Sequence, residues 1–166
     1  MSLLGVVIVV IVALQRIAEL IIDRRNTEKL LNEGGKEYGA RHYPFFIWLH
    51  GSWLVSLIYA LVKEAIVTEW SLIGLYLILQ MGRVWVIYSL GPYWTTRVIT
   101  IPGRPLVKDG PYRFVRHPNY IIVAMEIVVL PLAFGLWLIA LIFSILNALL
   151  LFHRIRLENS ILDQRR

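Results

Sequence analysis

The sequence contains no cysteine. This absence excludes disulfide bonds, thiolate nucleophiles and zinc–thiolate sites together. Charge is also scarce, because charged residues make up 17% of the 166 residues and hydrophobic residues make up 58%. A soluble domain of this size carries about a quarter charged residues. We therefore expect an integral membrane protein that has lipid around most of its surface.

The few charges are mainly basic, with a formal net charge of +6. Basic residues that flank apolar runs set the orientation of a protein in its membrane and interact with anionic headgroups. A nucleic-acid-binding protein instead gathers its positive charge in one patch or stripe. The expected partners are membrane lipids, and no nucleic acid is expected.

Five apolar stretches predict five transmembrane helices, which together form a single membrane domain over residues 1–166. A spanning helix needs about 20 mostly apolar residues. The apolar run from 119 to 153 is too long for one crossing, and Pro131 with Phe134-Gly135 predicts that it folds into a hairpin. The fold class is therefore an all-α integral membrane protein with a helical hairpin at its end. The spans are predicted at about 3–22, 43–62, 70–90, 119–132 and 136–154, with loops at 23–42 and 93–118.

The distribution of Lys and Arg predicts the orientation of these helices. Fourteen of the 17 lie after the first span, after the third span or in the C-terminal tail. Segments rich in Lys and Arg stay on the cytoplasmic side. We therefore expect the loop 93–118 and the C-terminus to be cytoplasmic and the N-terminus to be outside.

Ionisable and polar residues within the spans are candidates for function or for helix packing. Arg16 and Glu19 lie three residues apart, so they can pair on one face of the first helix. Arg83 lies within two turns of the cytoplasmic end of its span and is expected to extend to the interface. Glu126 either is structural or lines a substrate cavity. His50 is expected to form an interhelical hydrogen bond.

Three segments that carry polar side chains should meet on the cytoplasmic face. They are the loop 93–118, the start of the fourth helix at His117-Pro118, and the end of the fifth helix at Arg154 and Glu158. Proline suits the first turn of a helix, so Pro118 should begin the fourth helix and leave free N–H groups that favour an anion. The spacing alone also fits a surface ion pair of Arg154 with Glu158 and a capping role for His117.

The run Gly110-Pro111-Tyr112-Arg113-Phe114-Val115-Arg116-His117-Pro118-Asn119-Tyr120, followed in the last helix by Arg154-x-Arg156-x-Glu158, resembles the core of the isoprenylcysteine carboxyl methyltransferase family. The front half of the chain, at 15–20 and 37–44, is similar to a small bacterial subgroup of that family that is associated with type III polyketide synthases. The resemblance implies an O-methyltransferase that depends on S-adenosylmethionine. It also implies a bacterial cytoplasmic membrane, with the active site facing the cytoplasm.

The resemblance implies a role for each matching residue. Arg154 and Glu158 are the expected catalytic residues, and Arg154 with Glu126 is expected to bind the substrate. S-adenosyl-L-methionine is the expected cofactor, with S-adenosyl-L-homocysteine as product and no metal. The family often has a second glutamate where Asn159 stands here. The cofactor-binding residues implied are Arg104, Pro105, Leu106, Val107, Tyr112, His117, Pro118, Asn119, Tyr120 and Glu158.

The expected methyl acceptor is lipophilic, either a prenylated cysteine carboxylate or an alkylpyrone- or alkylresorcinol-like lipid. One alternative is a membrane NADPH-dependent reductase of the sterol-reductase type, although Ile121-Ile122-Val123 stands where such reductases usually have a Gly-Asp/Glu pair. A small membrane transporter or scaffold without enzymatic activity is the other. A soluble Rossmann-type methyltransferase is not expected, because no glycine-rich turn follows a strand.

Overall fold

The computed structural model describes residues 2–64 and 66–163. Its helices confirm the predicted all-α class. Two three-residue strands pair antiparallel and form a small sheet that the sequence did not predict. The helices are α1 (Leu3–Asn32), α2 (Tyr43–Lys63), α3 (Trp70–Leu90), α4 (Pro118–Ala133) and α5 (Trp137–Leu162), and the strands are β1 (Lys36–Tyr38) and β2 (Val98–Thr100).

Helix α1 corrects one prediction, because it continues through the first part of the expected loop 23–42 and ends at Asn32. The apolar run marks where the helix would leave lipid, and a helix with satisfied backbone hydrogen bonds need not end there. Arg24 and Glu28 pair across one exposed turn. On the opposite face Thr27 and Leu30 are buried. The last ten residues of α1 therefore form a polar extension beyond the predicted span.

The helices alternate in direction, so the polar segments collect on one face of the molecule. The N–H of Ser2 donates to the carbonyl of Leu61 at 2.8 Å, and the N–H of Glu69 donates to that of Ala133 at 2.8 Å. These contacts bring one end of α1 to α4 together. At the opposite end lie the α1 extension, the segment between α3 and α4, and the end of α5. We call this end the polar face.

The hairpin between α4 and α5 is confirmed at the predicted place. Helix α4 ends at Ala133 and α5 begins at Trp137. Gly135 between them has φ +67°, which a residue with a side chain rarely adopts. Helix α4 has 16 residues against 21 in α3, and the difference of five residues corresponds to about 7 Å along a helix axis. Since the two helices are level at Glu69 and Ala133, α4 begins below the polar face and leaves a recess there.

Among the described residues, four helical segments are long and apolar enough to cross a membrane, and they contain α1, α2, α3 and α5. Helix α4 is shorter than the usual span, so five crossings and their orientation stay predictions. Large apolar side chains such as Leu14, Val55 and Ile78 are exposed on the outside of the bundle, as expected for a surface in contact with lipid. The core is also apolar and includes Trp53, Leu57, Ile127, Leu130 and Phe134.

Candidate functional site

A cavity of about 660 Å³ occupies the recess at the polar face. Its volume lies in the range that is typical of small-molecule sites. Its walls come from α1, α2, α3, the segment between α3 and α4, the start of α4 and the end of α5. The predicted site residues that line it are Arg104, Pro105, Leu106, Val107, Tyr112, His117, Asn119, Tyr120, Arg154 and Glu158.

Arg154, Tyr120 and Glu158 form a hydrogen-bonded chain across the cavity wall. Nε of Arg154 donates to the Tyr120 hydroxyl at 2.8 Å, and that hydroxyl donates to Oε2 of Glu158. Nη2 of Arg154 donates to the carbonyl of Thr96 at 2.5 Å. The guanidinium lies 5.1 Å from the centre of the Phe46 ring. Arg154 and Glu158 are therefore not a simple surface ion pair, because Tyr120 stands between them.

His117 is held beside this chain at the start of α4. Its Nε2 lies 2.9 Å from Oδ1 of Asn159 and its Nδ1 lies 3.8 Å from Oε1 of Glu158. Its ring stacks on that of Tyr120, with 5.4 Å between the ring centres. Asn159 stands where the resembling family often has a second glutamate, and here it is the hydrogen-bond partner of His117. The carboxamide fixes the imidazole without adding a second negative charge.

The predicted helix start at Pro118 is confirmed, and it positions the next residues toward the cavity. Pro118 is buried as the first residue of α4 and is not among the described residues that line the cavity. Oδ1 of Asn119 is buried without a hydrogen-bond partner among the described residues. Such an acceptor in a cavity wall is a candidate partner for a ligand N–H group, since an unpaired buried polar atom is costly.

The segment 104–107 covers one side of the cavity. The Arg104 side chain is half-exposed, and it donates to the Tyr93 hydroxyl at 3.0 Å and pairs with Glu33 at 2.8 Å. The hydrogen bond with Tyr93 raises the pKa of Arg104, and the charge of Glu33 adds to this effect. Arg104 is thus tied to the α1 extension. Pro105, Leu106 and Val107 offer an apolar surface to the cavity.

Tyr112 adds an aromatic wall near Glu158. Burial raises the pKa of Tyr112, and the negative charge of Glu158 raises it further. The phenol therefore stays neutral at physiological pH. The indole of Trp94 also lines the cavity, and its Nε1 is buried without a hydrogen-bond partner among the described residues.

Glu126 belongs to a buried network of charges, of which Arg16, Glu19 and Arg83 also line the cavity. Its carboxylate accepts hydrogen bonds from Nη2 of Arg16 at 2.7 Å, Nη1 of Arg83 at 3.1 Å and Gln80 at 2.7 Å. Glu19 pairs with Arg16 at 3.0 Å and with Arg83 at 2.6 Å. The predicted pair of Arg16 with Glu19 is confirmed. Glu126 is absent from the described residues that line the cavity, so its proposed contact with substrate stays a prediction.

Arg83 corrects a second expectation. Its guanidinium does not extend to the membrane interface, because the side chain is 7% exposed and pairs with Glu19 and Glu126. A buried guanidinium needs partners of opposite charge, and Glu19 and Glu126 supply them to Arg83. The buried side chains of Glu19, Arg83 and Glu126 thus join α1, α3 and α4.

Two residues that the sequence did not predict as functional hold the segment 91–96 in place. Oδ1 of Asp23 accepts a hydrogen bond from the N–H of Thr96 at 2.6 Å. The Asn26 carboxamide donates to the carbonyls of Gly91 at 3.2 Å and Trp94 at 2.7 Å. Both residues belong to the α1 extension. The signal available in the sequence was their spacing of three, which places them on one face once the segment is known to be helical.

The described residues contain no group of three or more His, Asp or Glu side chains that is arranged to hold a metal ion. The expectation of chemistry without a metal stays a prediction. The cavity itself offers cationic, carboxylate, phenolic and carboxamide groups around an apolar wall. Such a set can bind a ligand that has both polar and apolar parts.

Comparison with known proteins agrees with the motif resemblance. The model of the "Isoprenylcysteine carboxyl methyltransferase (ICMT) family" matches residues 72–164. The "Uncharacterized protein YpbQ" of Bacillus subtilis (strain 168) is 38% identical over 160 residues, which is 95% of each chain. An "Uncharacterized protein" of Haemophilus influenzae is 29% identical over 108 residues, which is 63% of each chain. No solved structure matches.

Proposed function

This chain belongs to the isoprenylcysteine carboxyl methyltransferase family, and from that premise we propose that it transfers a methyl group from S-adenosylmethionine to an oxygen atom of a lipophilic acceptor. The family is one of membrane methyltransferases, and the apolar helices of this chain agree with it. The observation that carries the finer proposal is the chain of Arg154, Tyr120 and Glu158. It joins α4 to α5 at one cavity, and Arg154 also binds the Thr96 carbonyl in the segment between α3 and α4.

The described residues fit this cofactor. The unpaired Oδ1 of Asn119 can accept from an amino group of the ligand. The start of α4 and the His117 imidazole suit its carboxylate. The neutral ring of Tyr112 and the indole of Trp94 present aromatic surfaces to the cavity, and such surfaces attract a sulfonium cation.

When bound, S-adenosylmethionine supplies an electrophilic methyl group, so that the acceptor oxygen forms a new bond to carbon while the carbon–sulfur bond breaks. Arg154 binds and orients that oxygen, because its guanidinium is fixed from two sides by Tyr120 and Thr96. Orientation is the main requirement for an acceptor that is already anionic. For a neutral hydroxyl acceptor, the Glu158 carboxylate takes the proton through the Tyr120 hydroxyl. The surrounding apolar wall excludes water.

The acceptor is an amphiphile that reaches the cavity from the bilayer. Its tail lies among the apolar side chains of α1 and α2, and its reactive head lies at Arg154. Two classes of acceptor fit this description, prenylated cysteine carboxylates and alkylpyrone- or alkylresorcinol-like lipids. The second class agrees with the proposed bacterial subgroup. The excess of Lys and Arg at the polar face supports a location of the site on the cytoplasmic side of a bacterial cytoplasmic membrane.

The proposal is tested with purified full-length protein in detergent, labelled S-adenosylmethionine and a panel of these lipids. We expect a labelled methyl ester or methyl ether from at least one lipid. We expect Arg154→Ala to abolish its formation and His153→Ala, at the exposed neighbouring position, to leave it unchanged. Failure to bind S-adenosylmethionine in calorimetry would contradict the proposal, and oxidation of NADPH with a sterol or enone acceptor would favour the reductase alternative.

A further inference from the structure

The cavity continues away from Arg154 between facing sides of α1 and α2. We call this part the α1–α2 arm. Its apolar lining includes Ala13, Ile17 and Leu20 from α1 and Ile47, Gly51 and Leu54 from α2. Polar side chains also line the cavity at this depth, namely Arg16 and Glu19 from α1, His50 from α2 and Arg83 from α3. An arm that binds only an apolar tail would leave these polar groups without a partner on the ligand.

His50 lies deeper in the arm than the site of methyl transfer. The Arg154 guanidinium lies over Phe46 at 5.1 Å, and Nδ1 of His50 lies 2.8 Å from the carbonyl of Phe46. Residues four apart are separated by about one helical turn. His50 is therefore about one turn further along α2 than the ring that supports Arg154.

The hydrogen bond to Phe46 fixes which nitrogen of His50 faces a ligand. A carbonyl only accepts, so Nδ1 carries the proton, and Nε2 of the neutral ring is an acceptor. No described residue forms a hydrogen bond with Nε2. A cavity-lining acceptor in an apolar arm is a binding group for a hydroxyl.

Arg16 supplies donors at the same level. Helices α1 and α2 run in opposite directions and are level at Ser2 and Leu61, so Arg16 lies about opposite Ile47 and within one helical turn of His50. A guanidinium has five N–H donors, and Arg16 uses Nη1 for Glu19 and Nη2 for Glu126. Its side chain is 12% exposed, and it lines the arm. Nε is buried without a partner among the described residues, so the donors that remain for a ligand oxygen are the second N–H groups of Nη1 and Nη2.

The balance of charge decides what kind of group binds there. The network contains two guanidinium groups, of Arg16 and Arg83, and two carboxylates, of Glu19 and Glu126. It is neutral as a whole. A further full charge at this depth would be desolvated without a counter-ion. A neutral hydroxyl or carbonyl is the group that fits.

We propose that His50 and Arg16 form a second polar anchor, which binds a neutral hydroxyl or carbonyl of the acceptor about one helical turn below the oxygen that Arg154 orients. This inference rests on the proposed methyl transfer and narrows its substrate class. The distance between the two oxygens of a 1,3-dihydroxy aromatic ring is about equal to the length of one helical turn. The preferred acceptor is thus an amphiphile with two polar groups on a compact head, and not a lipid with a single polar end.

The test compares two lipids that differ by one hydroxyl group, 5-pentadecylresorcinol and 3-pentadecylphenol. Binding to the full-length protein in detergent is measured by calorimetry without cofactor, and turnover is then measured with labelled S-adenosylmethionine. A site that pairs a hydroxyl rejects the analogue that lacks it. We expect the wild-type protein to bind the resorcinol about tenfold or more tightly than the phenol. His50→Leu should remove this preference, whereas His153→Leu at an exposed position should retain it.

Equal affinity of the wild-type protein for the two lipids would overturn the second anchor. An equal loss of affinity for both lipids in His50→Leu would also overturn it, since that result indicates a structural role. If His50→Leu does not fold, the wild-type comparison decides alone. Methylation of the phenol without any preference for the resorcinol would refute the second anchor and support the proposed methyl transfer. Tighter binding of the resorcinol without methylation of either lipid would support the second anchor and contradict methyl transfer to these lipids.

Discussion

Arg154 shows how single residues create a binding group at a membrane surface. Its Nε and Nη2 are both occupied, by Tyr120 and Thr96, and its flat face rests over Phe46. These contacts fix a side chain that is otherwise long and mobile, so little rotamer freedom is left to lose when a ligand binds. No described residue forms a hydrogen bond with Nη1, which is the nitrogen available to an acceptor oxygen.

Removal of one oxygen tests this arrangement. In Tyr120→Phe, Arg154 and Glu158 lose the hydroxyl that joins them. A hydrogen bond to a charged group contributes about 1.5–3 kcal/mol, so kcat for methyl transfer should fall about 10- to 100-fold. The measurement is turnover with labelled S-adenosylmethionine and a saturating lipid acceptor.

The control for this variant is Tyr88→Phe. Tyr88 is 85% exposed on α3 and is outside the described cavity lining. Its substitution should leave kcat unchanged. Wild-type kcat in Tyr120→Phe would show that the bridge is dispensable and that Arg154 is held by other contacts.

The buried charges predict a large effect on stability. Glu126→Gln removes one of two carboxylates that balance Arg16 and Arg83. Breaking a buried ion pair costs about 3–5 kcal/mol, because it leaves a charge uncompensated. We expect Tm in detergent to fall by several degrees or more.

The matched substitution is Glu28→Gln. Glu28 pairs with Arg24 on the exposed side of α1, where the two side chains are 64% and 83% exposed. Exposed pairs contribute about 0–1 kcal/mol, so Tm should barely change. A similar Tm for both variants would mean that the buried network contributes little to stability.

At the scale of elements, the α1 extension connects membrane helix and site. Asp23 and Asn26 hold the segment 91–96, whose Thr96 carbonyl in turn accepts from Arg154. The sheet of β1 with β2 makes a second connection between the same parts of the chain. The extension thus positions the acceptor side of the site although it contains no residue with a proposed catalytic role.

Asn26→Ala should loosen that segment without unfolding the bundle. Two backbone carbonyls, of Gly91 and Trp94, lose their donor. We expect faster hydrogen exchange at residues 91–96 and a lower kcat, with Tm changed by a few degrees at most. Arg25→Ala, on the exposed side of the same helix, should show neither effect. Unchanged exchange at 91–96 in Asn26→Ala would argue that the sheet alone holds the segment.

Helix α2 offers a direct test of where the acceptor tail lies. A side chain at Gly51 would meet open space within the α1–α2 arm. Gly51→Leu should therefore fill the arm, raise KM for lipid acceptors about tenfold or more and leave the affinity for S-adenosylmethionine unchanged. Competition with the tail is the physical reason, since both occupy the same volume.

Gly74 on α3 is the matched position. A side chain there also meets open space, and Gly74 is outside the described cavity lining. Gly74→Leu makes the same change in helix propensity without blocking the arm. Equal KM values for the two variants would place the tail elsewhere.

At the scale of the whole molecule, the alternating helices put every proposed catalytic group at the polar face. The orientation of that face is testable because the chain has no cysteine of its own. Lys29→Cys places one thiol on the exposed side of the α1 extension, and Val67→Cys places one between α2 and α3, where Val67 is 89% exposed.

If the polar face is cytoplasmic, an impermeant maleimide should label Lys29→Cys in inverted vesicles alone. It should label Val67→Cys in right-side-out vesicles alone. The physical reason is the retention of Lys- and Arg-rich segments on the cytoplasmic side. The opposite pattern would reverse the orientation, and labelling of both from one side would contradict the alternation of the helices.

The sequence by itself determined the fold class, the approximate positions of the five helices along the chain and the helix start at Pro118. These features depend on local chemistry: the length of an apolar run, the fixed φ of proline and the freedom of Gly135. Through the family motif it also identified the cavity-lining residues of the segment 104–112, of the start of α4 and of the end of α5. It did not determine where α1 ends, because the hydropathy of a segment reports the solvent around a helix and not its hydrogen bonds.

The tertiary structure alone decided which groups meet. The bridge of Tyr120 between Arg154 and Glu158, the pairing of His117 with Asn159 and the burial of Arg83 depend on contacts between residues far apart in the chain. The spacing of these residues in the sequence carries no information on the distances between them, since those distances depend on how α1, α3, α4 and α5 pack. The recess at the polar face has the same origin. Helix α4 is five residues shorter than α3, and because the two helices are level at Glu69 and Ala133, the whole difference in length appears at the polar face.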